Sequence, residues 1–294
     1  MLAVIGGTWF LLWQHTAAPA TDRLQVVASY YPLYDFARQV GGDKVSVTNV
    51  TPAGAEPHDY EPTPKALADA QHAAVFIYNG GQLEPWAAGF LSDYTHTIVK
   101  ASAGIALQAT SDENDASKQV QDPHFWLDPV FAQQIIRNIQ QGLTQADPAD
   151  GAYFAQNAES YIAKLSQLDA TFRTGLATCQ TRTLVTSHAA FGYLAKRYNL
   201  TVYAIAGLNP DEEPSAGKLA EITQIVRDQH IRYIFFERLV SPRLADTIAA
   251  ETGAHTLVFD PIEGVSDAAQ AQGKNYLAIQ QDNLGSLRTA LACR

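Results

Sequence analysis

Residues 149–178 read ADGAYFAQNAESYIAKLSQLDATFRTGLAT, and this stretch decides how the rest of the chain is interpreted. Apolar side chains recur in it at helical spacing, with no proline, and no glycine stands between Gly151 and Gly175. The pattern therefore predicts one long helix. A helix of roughly 30 residues rises about 45 Å, which is enough to run along two lobes and join them as a stiff spine.

On both sides of this helix, short β-branched runs alternate with amphipathic stretches, as is typical of mainly parallel sheets flanked by helices. The predicted strands are 24–30, 45–50, 74–78 and 97–99 in the first half, and 183–186, 201–205, 232–237 and 255–259 in the second. We therefore predict an α/β protein with an N-terminal lobe at 24–129, a helical connection at 130–178 and a C-terminal lobe at 179–294. The acidic stretch SDENDASKQVQD at 111–122 is expected to be a solvated loop.

Composition excludes several functional classes. The 294 residues are 47% apolar, which fits an ordinary globular protein of about two domains. Thirty acidic against 20 basic residues give a formal charge of -10, and no basic run occurs, so nucleic-acid binding is not expected. The two cysteines, Cys179 and Cys293, are too few for a zinc ribbon, an iron–sulfur cluster or a disulfide-dense scaffold.

The N-terminal segment 1–23 indicates export. Residues 2–13, LAVIGGTWFLLW, form an apolar block too short for a spanning helix but suited to a signal-peptide core, and Ala18-Pro19-Ala20 offers a cleavage site. No basic residue precedes the block, and no cysteine follows it to accept a lipid. We expect an extracytoplasmic protein that is exported through this segment or anchored by it. The alternative is a buried core element at the extreme N-terminus.

The predicted export determines whether the two cysteines can be oxidised to a disulfide. In an oxidising compartment Cys179 and Cys293 could form a disulfide, which would close a long loop and stabilise the fold. Two free, unrelated thiols are the alternative.

The ends of the predicted strands select three of the eight histidines. Ligands of open α/β sheets bind beyond the carboxyl ends of the strands, and His58, His124 and His188 lie in segments of that kind. His58 follows a strand in a proline-rich turn, His124 lies in DPHFWLDP, and His188 directly ends TLVTSH. Two acids, Glu237 and Asp260, also end strands. The remaining histidines are expected at the surface, in local hydrogen bonds or in the export segment: His15, His72, His96, His230 and His255.

Neutral imidazole and carboxylate together are the ligands of a borderline divalent cation, above all zinc. The three histidines and two acids therefore predict a metal site facing one cleft. Because they are far apart in the sequence and form no short ligand motif, separate structural roles for the histidines are the alternative.

Six separated segments, in this order, resemble the metal-specific solute-binding proteins of zinc and manganese ABC importers: GAEPHDYEPTP, DPHFWLDP, TLVTSHAAFGYLAKRY, AGLNPDEEPS, FFERLVSPRLADTIAAETG and FDPIEG. The resemblance runs from about Leu24 to Leu291. It implies two α/β lobes joined by a single long helix, with the metal in the cleft between them.

The resemblance also implies a ligand set. His58 and His124 would bind the ion from the first lobe, and His188 and Asp260 from the second. Glu237 would be an outer hydrogen-bonding partner or an alternate ligand. Family members with histidine at the position of His188 tend toward zinc, whereas a carboxylate there tends toward manganese, so zinc is expected.

Manganese is the alternative ion, because the loop between the first two ligands is not rich in histidine and instead contains Asp112, Glu113 and Asp115. By resemblance, the chain is a monomer that captures the ion and delivers it to an ABC permease in the membrane. It is not expected to be an enzyme, since four protein ligands leave no open position on the metal. The alternatives are a metal-stabilised surface adhesin and an exported zinc hydrolase with Glu237 as general base.

Overall fold

The computed structural model describes residues 23–111 and 119–294. Apart from Arg23, the predicted export segment lies outside the described residues, and so do Asp112, Glu113 and Asp115. Among the described helices, none combines the length and the apolar character that crossing a membrane would require.

The first lobe contains a four-stranded parallel sheet with the strand order β2-β1-β3-β4. Its elements are β1 (Leu24–Ala28), α1 (Tyr31–Gly41), β2 (Val45–Asn49), α2 (Pro64–Ala70), β3 (Val75–Tyr78), α3 (Ala87–Ser92) and β4 (Thr97–Lys100). Val26 in the central strand pairs with Val47 on one side and Val75 on the other. The sheet therefore ends in one row of loops, and the loop after β2 carries His58.

Two antiparallel helices form the connection, α4 (Pro129–Ala146) and α5 (Gly151–Gly175). Asp128 caps α4 by accepting a hydrogen bond from the Val130 amide, with Pro129 in the first turn. The predicted long helix is confirmed as α5, whose 25 residues span about 38 Å. Its buried face, including Phe154, Leu165 and Phe172, packs in the main core of the protein.

The second lobe contains β7 (Thr183–Thr186), α6 (Gly192–Tyr198), β8 (Thr201–Ala204), α7 (Ala216–Asp228), β9 (Tyr233–Phe236), α8 (Arg243–Thr252), β10 (His255–Val258), α9 (Asp267–Ala271) and α10 (Tyr276–Ala290). β7 pairs in parallel with β8, β9 pairs in parallel with β10, and β7 lies beside β9. The predicted α/β class with mainly parallel sheets and one long helix is confirmed.

The polar stretch at 111–122 differs in part from the expected loop. A short antiparallel hairpin, β5 (Ala109–Ser111) and β6 (Gln119–Gln121), brackets the residues that the structure does not describe. β6 leads directly into the segment that carries His124.

A disulfide bond joins Cys179 and Cys293, so the predicted pairing is confirmed. The bond ties the segment after α5 to the end of the chain. The main core contains Phe36, Trp126 and Tyr276, so side chains from both halves of the sequence pack together.

Candidate metal centre

Three of the candidate ligands lie in loops that local hydrogen bonds shape. The His58 amide donates to Glu56 Oε1 over 3.1 Å, and the turn before it is closed by the Ala55 amide and the Pro52 carbonyl. His124 begins a short 3-10 turn at Phe125–Leu127. His188 follows β7, and its carbonyl accepts from the Thr186 hydroxyl over 2.8 Å.

The three imidazoles converge on one carboxylate, that of Glu263. Glu263 Oε1 lies 3.3 Å from His58 Nε2, 3.2 Å from His124 Nε2 and 3.4 Å from His188 Nε2. His124 Nε2 is 3.1 Å from His58 Nε2 and 3.3 Å from His188 Nε2. Ligands about 2.0–2.1 Å from a tetrahedral zinc ion are about 3.3–3.4 Å from one another. These five of the six separations among the four donor atoms therefore lie close to the edge length of such a tetrahedron, and all six are within 4.8 Å.

In two of the three rings, Nδ1, the nitrogen that faces away from the cluster, is hydrogen-bonded to a carboxylate. His124 Nδ1 lies 2.8 Å from Asp122 Oδ1, which also accepts from the His124 amide. His188 Nδ1 lies 2.7 Å from Glu237 Oε1. A carboxylate at Nδ1 fixes the ring orientation and the tautomer that leaves Nε2 free to bind a metal.

The structure places Asp260 outside this group of donor atoms. Its Oδ1 accepts from the Ile262 amide over 2.8 Å, and its Oδ2 lies 3.3 Å from Arg238 Nε. Glu263, three residues further along the same loop, supplies the carboxylate that meets the histidines. Sequence reasoning missed Glu263 because it considered only acids that directly end a strand, although the residue stands within the quoted motif FDPIEG. It also missed Asp122, two residues before His124.

The buried charges in the centre shift one another. Burial raises the pKa of a lone carboxyl, but His188, His124 and His58 outweigh that effect and hold the pKa of Glu263 well below its usual range. Burial lowers the pKa of His58. For His188, burial acts in the same direction, but Glu237 and Glu263 outweigh it and raise the pKa.

A second carboxyl, that of Glu56, lies beside Glu263. Burial and the neighbouring Glu263 raise the pKa of Glu56 to about 9, so Glu56 is protonated at neutral pH and shares its proton with the Glu263 carboxylate. The three imidazole nitrogens and Glu263 Oε1 lie within 4.8 Å of one another, and a cation held among these acceptor atoms would offset the cost of bringing them together. The donor set therefore fits a divalent metal ion.

Comparisons with known proteins bear on this geometry. Residues 26–290 match the family described as ZnuA, zinc-uptake complex component A, periplasmic. The chain is 39% identical over 281 residues to the high-affinity zinc uptake system protein ZnuA of Bacillus subtilis, covering 92% of this chain and 88% of that protein. It is 36% identical over 290 residues to the zinc-binding lipoprotein AdcA of Streptococcus pneumoniae, covering 95% of this chain but only 58% of that protein.

Solved structures show the same fold. The Zn(II)-bound ZnuA-like domain of Streptococcus pneumoniae AdcA superposes with a TM-score of 0.79 at 37% identity, covering 92% of this chain and 99% of that one. The laminin-binding protein of Streptococcus agalactiae, described as having adhesin and metal transporting activity, superposes with a TM-score of 0.83 at 31% identity, covering 91% and 99%.

Proposed function

We propose, since the chain belongs to the zinc-uptake complex component A family, that it captures zinc outside the cytoplasm as a monomer and passes the ion to the permease of an ABC importer. The observation that carries the proposal is the group of three imidazoles and one carboxylate whose donor atoms all lie within 4.8 Å of one another. The relatives named for zinc uptake and zinc binding support the choice of cargo.

The proposed ligands are His58, His124, His188 and Glu263. The first two come from the half of the chain before α5, and the other two come from the half after it. Asp260, which the resemblance implies as a ligand, would instead shape the loop that presents Glu263, and Glu237 would act through His188. The distances given above support both assignments.

Zinc is favoured over manganese by the chemistry of the donors. Three nitrogens and one oxygen suit tetrahedral zinc, whereas manganese prefers more oxygen ligands and a higher coordination number. Four protein ligands would also leave no open position for a water molecule to be activated. Glu237, the base that a zinc hydrolase would need, is engaged with His188 Nδ1. A carrier fits this arrangement better than a hydrolase.

The test is elemental analysis of the purified protein, followed by removal of the metal and competitive titration with zinc and manganese. Alanine variants of His58, His124, His188 and Glu263 should each lose far more zinc affinity than the 10–100-fold typical of outer partners. Asp260→Ala should fall within that smaller range. His72→Ala, outside the centre, is the control.

Two outcomes would revise the proposal. A severe loss in Asp260→Ala with a mild one in Glu263→Ala would make Asp260 the fourth ligand. Absence of bound metal in the wild-type protein, together with no stabilisation by either ion, would return the histidines to structural roles.

A further inference from the structure

One face of α10 carries three buried polar side chains, Tyr276, Gln280 and Asn283. They are spaced at i, i+4 and i+7, so they lie on the same side of the helix, and all three are essentially inaccessible to solvent. Burying polar groups is unfavourable unless they form hydrogen bonds. Their partners therefore indicate what this face of the helix does.

The N-terminal part of this face holds the segment that follows His124. The Tyr276 hydroxyl donates to the Trp126 carbonyl over 2.5 Å, and Gln280 Nε2 donates to the Leu127 carbonyl over 3.1 Å. The start of the helix is itself fixed from the first lobe, because Asp35 Oδ2 accepts from the Tyr276 amide over 3.1 Å. The position of α10 thus determines where the His124 segment lies.

The next turn of the same face holds the segment that precedes Glu263. Asn283 Oδ1 accepts from the Asp260 amide over 2.9 Å, and Asn283 Nδ2 donates to the Asp260 carbonyl over 2.7 Å. One side chain therefore satisfies both backbone groups of Asp260. The Asp260 carboxylate in turn accepts from the Ile262 amide.

The backbone at Ile262 needs such support. Its φ of 61° lies in the left-handed region, which is unfavourable for a β-branched residue and persists only where surrounding contacts determine it. This residue immediately precedes Glu263, so its conformation sets the direction of the Glu263 side chain. A direct bond from Trp126 Nε1 to the Pro261 carbonyl, 2.8 Å, also joins the two segments.

From these contacts we infer that α10 fixes the separation between His124 and Glu263, with Asn283 as the positioning residue for the Glu263 carboxylate. The inference rests on the proposed zinc site. It adds three residues of α10 that bind no metal themselves but hold the segments that carry two of the proposed ligands. It also explains why this buried face of α10 carries polar side chains and not apolar ones.

A double-mutant cycle tests this inference on the full chain. Zinc affinity of the metal-free protein is measured by competition with a chromophoric chelator for wild type, Asn283→Ala, Glu263→Ala and the double variant. Asn283→Ala should weaken binding by about 10–100-fold, as is typical when an outer partner is lost. In the Glu263→Ala background the same change should cost no more than about 2-fold, because Asn283 acts through Glu263. Gln281→Ala, exposed on the same helix, is the control.

A general structural role gives a different result. If Asn283→Ala matches Gln281→Ala, or lowers affinity equally with and without Glu263, the inference is wrong even though the zinc site stands. If Glu263→Ala itself leaves zinc affinity unchanged, the proposed ligand set has failed instead.

A second variant covers the case in which Asn283→Ala does not fold. Tyr276→Phe removes only the hydroxyl that donates to Trp126 and nearly conserves volume. It should weaken zinc binding about 10-fold in the wild-type background and have no effect when His124 is already replaced by alanine. Equal losses in both backgrounds would overturn the inference.

Discussion

At the scale of single residues, the hydrogen bonds made by histidine Nδ1 set the ring orientation that presents Nε2 to the candidate metal position. His124 and His188 each have a carboxylate within 2.8 Å of Nδ1, so each ring is held in one orientation. No such partner is described for His58, whose ring lies against the rings of His124 and His188. Replacing Asp122 or Glu237 therefore tests the contribution of ring orientation to zinc affinity without removing a proposed ligand.

We expect Glu237→Ala to weaken zinc binding by about 10–100-fold while the protein stays folded, because His188 loses the acceptor that orients it. Glu237→Gln keeps an acceptor oxygen and should lose less. Chelator competition measures both. Glu159→Ala, an exposed change on α5, supplies the baseline, and an effect of Glu237→Ala no larger than that baseline would contradict the orienting role.

Glu84 shows how a buried carboxylate behaves away from the centre. Its Oε1 accepts from the Ser29 hydroxyl over 2.6 Å and from the Asn79 amide over 2.7 Å, and its Oε2 accepts from the Gly80 amide over 3.2 Å. Burial nevertheless raises its pKa from the ordinary 4.5 to about 7. The folded protein thus holds this proton more tightly than the unfolded chain does.

The raised pKa of Glu84 makes the folded protein less stable as the pH rises. A carboxyl with a raised folded pKa contributes its full stability below the unfolded value of 4.5, and that contribution is lost as the pH rises through about 7. Relative to Glu84→Gln, the wild-type protein should lose up to about 3 kcal/mol of unfolding free energy between pH 4.5 and pH 8. Urea unfolding of the metal-free protein at several pH values measures this. Parallel pH profiles for wild type and Glu84→Gln would refute it, and Glu159→Gln controls for an exposed charge.

The candidate centre was predictable from sequence only where it depended on the positions of predicted elements. His58 and His188 follow predicted strands, and His124 stands between prolines just before the predicted helical connection, so the positions of the predicted elements selected all three. Glu263 lies three residues beyond Asp260, so a rule about acids that directly end a strand did not reach it, although it stands in the motif FDPIEG. The hydrogen bonds between the Asp260 backbone and Asn283, 23 positions later, are tertiary contacts that sequence periodicity does not reveal.

At the scale of elements, features with a local sequence pattern were again predictable. The eight main strands were predicted within about two residues at their ends, because each is a short apolar run beside a loop. The long helix α5 was predicted because its apolar spacing continues without a break. The hairpin β5–β6 was not predicted, because its strands are short and polar and leave no alternating apolar pattern.

The start of α4 illustrates how one element connects both lobes. Asp128 caps the helix, and its carboxylate also pairs with Arg197 of α6, with Arg197 Nη2 2.8 Å from Asp128 Oδ2. Asp128 is almost fully buried, so its charge depends on both partners. α4 begins directly after the segment that carries His124.

Asp128→Ala should therefore destabilise the protein by about 2–4 kcal/mol, the combined cost of losing a helix cap and a charge-assisted hydrogen bond to the partly exposed Arg197. Ser215→Ala, which removes the exposed cap of α7, should cost only about 1 kcal/mol. Urea unfolding of both variants gives the comparison. Equal losses would mean that the Arg197 pair contributes nothing beyond capping.

At the scale of the whole molecule, the two lobes already touch around the centre. A side chain at Gly264 would place Cβ 2.9 Å from the Ala55 carbonyl, so only glycine allows the Glu263 loop to approach the His58 loop this closely. Asn209 Nδ2 also donates to Asp59 Oδ1 across the cleft over 2.9 Å. Because these contacts already join the two lobes at the centre, zinc has little distance to close.

Zinc should consequently slow amide hydrogen exchange in the ligand loops, near residues 52–59, 122–127, 186–190 and 260–265, and leave the middle of α5 unchanged. The reason is that an ion held by loops from both lobes suppresses their local opening, whereas α5 is already buried along one face and carries none of the proposed ligands. Hydrogen–deuterium exchange with and without excess zinc measures this, and His188→Ala under the same conditions should lose the effect. A wide hinge closure would instead require the spine to bend, so zinc-dependent exchange in α5 as large as that in the loops would show that the lobes move as separate bodies.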